Sequence, residues 1–186
     1  KETKLSFGTV IMAGFQTHGK GQRTSFWKSD NGLNLLISIY FDSSFLNSQN
    51  LFFLSKSIAL SIRECVEKII GLEVSIKWPN DILVNSRKIA GVLIENQWKN
   101  EKLLSSIIGI GLNVNQVVFS SIDNASSLKN LTSLNYNLNS VLNSLCSSLD
   151  TGFDNLRNFD FLDIDRQYHS FLLNHNQWSI YQKNKI

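Results

Sequence analysis

The sequence predicts an α+β protein in which helices pack on a mostly antiparallel or mixed β-sheet. Short runs rich in β-branched and apolar residues crowd the first 115 residues. One long segment among them, and most of the last third, repeat apolar residues at three- and four-residue steps. The 186 residues, 42 % hydrophobic and 18 % charged, suit one globular catalytic domain rather than a disordered chain.

The first two predicted strands flank a polar segment. Residues 8–13 and 33–41 are apolar and β-branched enough to form buried strands. Residues 14–25 between them are polar and contain three glycines, so no regular structure is predicted there.

Residues 50–70 are predicted as an amphipathic helix. Their apolar side chains recur about one turn apart, and Gly71 follows in the position where glycine commonly ends a helix. The remaining predicted elements are strands at 74–78, 82–85, 88–97 and 103–115, helices at 137–156 and 161–173, and the opening of another strand at 178–181.

Charge and cysteine content argue against several classes of protein. A net charge of +3 is too small to indicate a nucleic-acid partner by itself. Cys65 and Cys146 lack a Cys or His at ligand spacing, so we expect ordinary thiols in a reducing compartment. No apolar run reaches the length of a membrane span and no signal peptide is visible. We therefore expect a cytoplasmic protein without a membrane partner.

The first motif that carries chemistry is Gln-Thr-His-Gly-Lys-Gly-Gln-Arg at residues 16–23. Its glycines expose backbone N–H groups, and Lys20 and Arg23 add positive charge, which suits a phosphate or an acyl phosphate. A solvated loop explains the segment equally well. It is neither a Walker sequence nor a Rossmann fingerprint, because the glycine spacing differs and no helix follows. Trp27, just beyond, is a candidate to cover a flat ligand, although such a residue is more often part of a core.

The second motif is Lys-Trp-Pro-Asn-Asp at residues 77–81, followed by Arg-Lys-Ile-Ala-Gly at 87–91. Pro79 fixes a bend at the end of a strand, so Asn80 and Asp81 should project at its edge, where polar groups meet ligands. The hairpin that follows brings Lys88 back beside Asp81. Such a pair can be a surface ion pair of small energetic value. Because it borders a predicted pocket, we interpret it as functional.

The third motif is Gly-Ile-Gly-Leu-Asn at residues 109–113. Residues two apart in a strand share a face, so Gly109, Gly111 and Asn113 should leave a bare backbone patch for a flat bicyclic ligand. Gly91 and Leu93 form a similar pair on the neighbouring strand. A β-bulge is the alternative for a single glycine. Valine at position 111 should be tolerated by the strand while blocking the ligand.

In this order, the three motifs resemble those of biotin–protein ligases. The resemblance is close over residues 8–115 and loose afterwards, and Trp-Pro-Asn-Asp followed by Lys-Ile-Ala-Gly is its most specific part. It implies the catalytic fold of class II aminoacyl-tRNA synthetases and biotin ligases over residues 1–175, and the start of a small C-terminal β-barrel at 176–186.

The implied reaction uses ATP and Mg²⁺ to convert biotin to biotinyl-5′-AMP. Biotin then passes to a lysine of a biotin carboxyl carrier protein of the acetyl-CoA carboxylase type. The resemblance implies a monomer or homodimer with no nucleic-acid partner for this chain.

The resemblance also implies a role for individual residues. Lys88 is similar to the catalytic lysine that contacts the biotin carboxylate and the α-phosphate, and Asp81 to an acidic residue near the reacting carbonyl. Arg23 is the third catalytic candidate. The implied biotin-binding residues are Gln16, Gly19, Lys20, Gly21, Gln22, Lys88, Gly91, Leu93, Gly109 and Gly111, and the implied ATP- and adenylate-binding residues are Lys20, Arg23, Trp27, Asn80 and Asn113.

The chain departs from the family pattern in two ways. Where the family reads Gly-Arg-Gly-Arg, this chain reads Gly-Lys-Gly-Gln-Arg. Gln22 therefore stands at the second arginine, and we expect Arg23 to substitute for it. The family's Ser/Thr-Thr-Asn element before the first strand and most of the C-terminal barrel are absent, which suggests a fragment.

Three alternatives stay open. A lipoate or octanoate ligase is the nearest, and the Trp-Pro-Asn-Asp segment and the paired glycines argue against it. A biotin-sensing transcriptional repressor would need a DNA-binding domain before residue 8. An inactive binding module would keep the glycine face and lose adenylate formation.

Overall fold

The computed structural model describes residues 5–22, 25–119 and 124–178, which fold into a β-sheet with helices packed on it. Its elements are β1 (Val10–Ala13), β2 (Gly19–Lys20), β3 (Phe26–Trp27), β4 (Leu35–Phe41), α1 (Leu51–Ile70), β5 (Ser75–Lys77), β6 (Asp81–Val84), β7 (Arg87–Lys99), β8 (Lys102–Leu112), α2 (Leu128–Thr132), α3 (Leu138–Arg157) and α4 (Phe161–Ser170).

The large sheet runs in the order β1-β4-β8-β7-β6-β5, and its strand pairs are antiparallel. At its centre Gly91 of β7 lies opposite Gly111 of β8, and Leu93 lies opposite Gly109. On the other side of β8, Ser38 of β4 lies opposite Gly109. The register therefore joins the Gly109–Gly111 pair and the Gly91–Leu93 pair, both predicted from the sequence, into one patch. The predicted α+β fold class is confirmed.

The helices cover the face of the sheet opposite this patch. Ile58 and Ile62 of α1 are fully buried in one apolar cluster with Ile108 and Leu112 of β8. Since successive residues of a strand point to opposite faces, the even-numbered residues of β8 from Ser106 to Leu112 face the buried side. The odd-numbered glycines are left on the other face.

The polar segment predicted to be irregular contains a short hairpin, so that prediction was wrong. Gly19 lies opposite Trp27 in the β2–β3 pair, and Gly21 N donates to the Ser25 carbonyl at 2.9 Å. The hairpin depends on glycine for its close approach, because a Cβ atom at Gly19 would stand 2.4 Å from the Trp27 carbonyl oxygen.

The C-terminal third differs from the prediction in detail. Helix α2 was not predicted; its first turn is capped by the Ser127 hydroxyl, which accepts from Asn130 N at 3.1 Å. Helix α4 ends at Ser170, and Leu172 instead forms a parallel bridge with Ile76 of β5. Of the strand predicted at 178–181, only residue 178 lies within the described residues, and it belongs to no strand.

The two cysteines of the chain are ordinary free thiols. Cys65 is buried, Cys146 is half-buried, and both are free thiols. Burial raises the pKa of the Cys65 thiol to about 12, which suppresses its reactivity.

Among the described helices, none combines the length and the apolar character that crossing a membrane would take.

Candidate active site

A cavity of about 620 Å³ lies on the glycine face of the sheet. Three motifs that are distant in sequence surround it. The predicted site residues that line it are Gln16, Lys20, Gly21, Gln22, Trp27, Asn80, Asp81, Lys88, Gly91, Leu93, Gly109 and Gly111.

Two predicted residues within the described ranges, Gly19 and Asn113, do not line this cavity. Gly19 lies in β2 and allows the close approach of β3. Asn113 is 3 % exposed and follows the end of β8. Arg23 lies outside the described residues.

One wall of the cavity carries an ion pair between Lys88 and Asp81. Lys88 Nζ lies 2.7 Å from Asp81 Oδ1, and the two side chains are 36 % and 24 % exposed. Lys88 faces the cavity because β7 contains an extra residue: Ala90 pairs with Ile82 and Lys88 with Leu83, which leaves Ile89 unpaired between them. This bulge reverses the alternation of side chains and brings Lys88 to the same face as Gly91.

The backbone on both sides of the Lys88 side chain is fixed. Lys88 N donates to the Asn124 carbonyl at 2.7 Å, and Ser126 N donates to the Lys88 carbonyl at 2.9 Å. A lysine held in this way presents its ammonium group without reorganising the strand. Such preorganised charge is what stabilises a developing negative charge most effectively.

The Trp-Pro-Asn-Asp turn is tied to the next strand by Asn80. Its carbonyl accepts from Val92 N at 3.2 Å, and its side-chain amide donates to the Val92 carbonyl at 2.5 Å. The Trp78–Pro79 peptide bond is cis. Asn80 thus joins the turn to β7 and delivers Asp81 to the cavity.

Trp27 lies on the glycine patch, where we had expected only a ligand. A Cβ atom at Gly111 would stand 2.4 Å from Cε2 of the indole, and one at Gly91 would stand 3.2 Å from Cζ3. A Cβ atom at Gly109 would meet only Leu93 within 4 Å, at ordinary contact distance. The prediction that position 111 tolerates valine was therefore wrong, because the indole occupies that space.

Three buried polar atoms close to the nucleotide-binding candidates have no hydrogen-bond partner in the described structure. They are Trp27 Nε1, Asn113 Oδ1 and Ser126 Oγ. Asn113 and Ser126 are in contact, since Asn113 Nδ2 donates to the Ser126 carbonyl at 3.0 Å. Buried polar groups are nearly always paired, so these three atoms are exceptions among the described residues.

The β2–β3 hairpin contributes a second, more exposed ion pair to the cavity. Lys20 Nζ lies 3.9 Å from Glu95 Oε1, and the side chains are 74 % and 58 % exposed. At this exposure the pair adds little stability, so Lys20 is available to an anionic ligand. Gln22 is exposed at the cavity rim.

Several residues that line the cavity were not assigned from the sequence, among them Ser38, Glu95, Trp78 and His18. Ser38 is the polar residue of an apolar strand and lies opposite Gly109. Glu95 lies two residues beyond Leu93 on the same face. Both follow from the two-residue period of a strand once its register is known, and only the fold supplies that register.

Within the described residues, no cluster of three His, Cys, Asp or Glu side chains is placed to hold a metal ion. The carboxylates of Asp81 and Glu95 at the cavity are both within 4 Å of a lysine Nζ atom.

The fold matches solved ligase structures. A biotin protein ligase from Aquifex aeolicus in complex with biotin and ATP superposes with a TM-score of 0.81 and 28 % identity, over 93 % of this chain and 72 % of that one. A biotin protein ligase from Leishmania major, 20 % identical, has the same fold with a TM-score of 0.73.

Residues 1–113 match the model of the biotin/lipoate A/B protein ligase family. The chain belongs to this family. Over 111 residues it is 37 % identical to the bifunctional ligase/repressor BirA of Bacillus subtilis, which is 59 % of this chain and 33 % of that protein. It is 30 % identical over 112 residues to the biotin–[acetyl-CoA-carboxylase] ligase of Mycobacterium tuberculosis, 59 % of this chain and 40 % of that one. The match thus spans a third to two fifths of these relatives.

Proposed function

We propose that this chain activates biotin with ATP to biotinyl-5′-AMP and transfers the biotinyl group to a lysine of a carrier protein. The observation that carries the proposal is the Lys88–Asp81 pair, 2.7 Å apart at the wall of a glycine-lined cavity. Membership of the ligase family and the likeness to an Aquifex structure that holds biotin and ATP support it.

The biotin ring would lie at the Gly109 end of the patch, beside Leu93. Trp27 covers the Gly91 and Gly111 end, so the open backbone surface is at Gly109. Biotin's carboxylate would then extend towards the Lys88 ammonium group.

The adenine of ATP would lie at the Trp27 end of the cavity. Of the unpartnered buried atoms, Trp27 Nε1 belongs to a residue that lines this end of the cavity, and it offers one donor. A nucleobase edge carries acceptors, one of which would satisfy this donor. Asn80 borders the same cavity, while Arg23 remains a proposed contact of the phosphate.

In the first step a carboxylate oxygen of biotin would attack the α-phosphorus of ATP. The bond to the bridging oxygen of the β-phosphate breaks, and pyrophosphate leaves with the electron pair. Lys88 and Lys20 would stabilise the charge on the phosphoryl oxygens. Mg²⁺ would arrive as part of the Mg–ATP substrate, since the described residues form no metal site of their own.

In the second step the neutral amine of the carrier lysine would attack the acyl carbon of the mixed anhydride. An amide bond forms as the nitrogen loses a proton to solvent, the acyl–oxygen bond breaks, and AMP leaves with the electron pair. Asp81 would orient the incoming amine; its carboxylate beside Lys88 at the cavity wall supports this role. The name of the Mycobacterium tuberculosis relative favours acetyl-CoA carboxylase's biotin carboxyl carrier protein as the acceptor.

We further propose residues 1–175 as the catalytic domain, acting as a monomer or homodimer in the cytoplasm. The start of a C-terminal barrel at 176–186 stays a prediction, because most of it lies outside the described residues.

The test is biotin-dependent exchange of pyrophosphate into ATP, with octanoate and lipoate as competing acids. We expect exchange with biotin that neither competitor suppresses at equal concentration. Exchange supported by octanoate or lipoate instead would assign the chain to lipoate-type ligation. Biotin binding without any exchange would show a binding module.

A further inference from the structure

The turn that carries Asn80 and Asp81 rests on helix α4. The hydroxyl of Tyr168 donates to the Pro79 carbonyl at 3.1 Å, and the tyrosine is 1 % exposed. The contact spans 89 positions of the chain. It joins the last described helix to the second chemical motif.

The segment after α4 strengthens this contact. Ile76 N donates to the Phe171 carbonyl at 2.8 Å, and Leu173 N donates to the Ile76 carbonyl at 2.7 Å. Ile76 belongs to β5, the strand that leads into the turn. The end of α4 and the start of the turn are therefore bound together at two places.

Tyr168 keeps its proton near neutral pH. Burial raises the pKa of its phenol to about 12. The hydroxyl therefore stays a donor, and the Pro79 carbonyl has a constant partner over the range in which enzymes work.

The path from Tyr168 to the reactive pair is short. Pro79 is followed by Asn80, which is bonded to Val92 through both its carbonyl and its side chain. Asn80 is followed by Asp81, whose carboxylate lies 2.7 Å from Lys88 Nζ. Only Asn80 separates Pro79 from Asp81, so a shift of the anchored Pro79 carbonyl moves the Asp81 carboxylate.

We propose that Tyr168 is a positioning residue: its hydroxyl holds the Pro79 carbonyl so that Asp81 stands beside Lys88. The role rests on the proposed ligase function, and Tyr168 does not line the cavity itself. It acts only through the turn.

The variant that tests this is Tyr168→Phe, which keeps the buried ring and removes the hydroxyl. Tyr136→Phe is the matched control, because its hydroxyl also makes one bond of similar length, 2.9 Å to Thr132 Oγ1, away from the cavity. We expect Tyr168→Phe to lower kcat of pyrophosphate exchange about three- to tenfold, the value of one hydrogen bond. KM for biotin should not change, since the glycine patch lies on other strands. Tyr136→Phe should leave both constants unchanged.

A double-mutant cycle separates positioning from general weakening. In an Asp81→Asn background, Tyr168→Phe should lower kcat much less, because the group it positions has lost its charge. The same fold-loss in both backgrounds would overturn the proposal. So would a Tyr168→Phe variant with unchanged kcat.

The position of the turn has a readout that needs no activity. Val92 N donates to the Asn80 carbonyl, so hydrogen exchange at this amide reports how firmly the turn is held. Tyr168→Phe should accelerate it and Tyr136→Phe should not. If the parent chain shows no biotin-dependent pyrophosphate exchange, or if Asp81→Asn abolishes it, hydrogen exchange at the Val92 amide decides the test. An unchanged hydrogen-exchange rate of this amide in Tyr168→Phe rejects the positioning role.

Discussion

Lys88 reaches the cavity through an inserted residue. The bulge at Ile89 turns the Lys88 side chain to the glycine face, and hydrogen bonds of the Lys88 backbone hold the strand in this position. The strand does not depend on the side chain for this geometry. Removing the charge at position 88 should therefore leave the stability of the fold nearly unchanged.

Lys88→Ala should reduce biotin-dependent pyrophosphate exchange by about a hundredfold or more, as the loss of a preorganised charge does. The fold should survive, because a pair this exposed contributes at most about 1 kcal/mol to the free energy of unfolding. Exchange rates and thermal unfolding are measured together. Lys99→Ala, at the exposed far end of β7, is the control and should behave as the parent. A folded Lys88→Ala chain with parental exchange would remove Lys88 from the mechanism.

Gly111→Val should destabilise the chain by about 1–3 kcal/mol, the usual cost of overpacking. The new side chain would stand where the Trp27 indole lies, so the indole must move. Denaturant unfolding gives the free energy and calorimetry gives biotin binding. Gly109→Ala is the control for stability, because its methyl group would make only ordinary contact with Leu93. The cost of Gly111→Val should shrink in a Trp27→Ala background; an equal cost there would show that Trp27 is not the obstacle.

At the scale of elements, the segment that follows Trp27 is locked to the residues after β8 by buried amides. Asn34 Nδ2 donates to Gln116 Oε1 at 2.6 Å and to Ser29 Oγ at 2.9 Å, and Asn34 Oδ1 accepts from Val114 N at 2.9 Å. Gln116 Oε1 also accepts from Asp30 N at 3.0 Å. Asn34 and Gln116 are 2 % and 5 % exposed. This network fixes the position from which Trp27 reaches the glycines.

Asn34→Ala should cost about 1–3 kcal/mol, because it leaves buried donors and acceptors unpaired. KM for ATP should rise, since Trp27 loses its anchor, while KM for biotin should change less. Unfolding curves and exchange kinetics at varied ATP measure the two effects. Asn139→Ala, exposed in α3, should alter the free energy of unfolding by only about 0.5 kcal/mol or less. A stable Asn34→Ala chain with parental KM values would show that the network is dispensable.

Elements with a clear apolar or periodic pattern could be predicted from the sequence, whereas the two-residue strands β2 and β3 and the short helix α2 could not. Helix α1 was predicted at 50–70 and lies at Leu51–Ile70, because five turns of periodicity and a terminal glycine specify it. The two-residue strands β2 and β3 carry no periodicity, so their hairpin was not predicted. The glycine patch was predicted from two-residue spacing. The bulge at Ile89 and the position of Trp27 depend on strand pairing, which no local pattern encodes.

At the scale of the whole molecule, helix α4 connects the core to the site. Tyr168 supports the Trp-Pro-Asn-Asp turn, and Asp165, one turn earlier, is bonded to Lys56 of α1. Lys56 lies within 5.5 Å of three aromatic ring centroids and its side chain is only 10 % exposed. The Asp165 carboxylate also lies 3.2 Å from His169 Nδ1. The ion pair between Lys56 and Asp165 is therefore a second attachment of α4.

This attachment should weaken in acid. The hydrogen bond from Lys56 lowers the pKa of Asp165 below its ordinary value of 3.8. A carboxyl group whose pKa is lower in the folded state stabilises the fold fully above the unfolded value, and the stabilisation is lost as the pH falls through the folded value. Asp165→Asn should therefore lower the free energy of unfolding by about 1 kcal/mol at neutral pH, a figure limited by solvent screening of the part-exposed carboxylate.

The measurement is denaturant unfolding of parent and variant from pH 7 down to the acid range. The difference between them should be constant above the ordinary carboxyl value and should shrink towards zero below it. Asp163→Asn on the same helix is the control, because Asp163 pairs with Arg166, whose side chain is 81 % exposed, and the pair should contribute little. A parent–variant difference that persists unchanged in acid would show that the carboxylate's charge does not hold α4. The stabilisation by Asp165 would then come from neutral hydrogen bonding and packing, and the support of the Pro79 turn would be independent of pH.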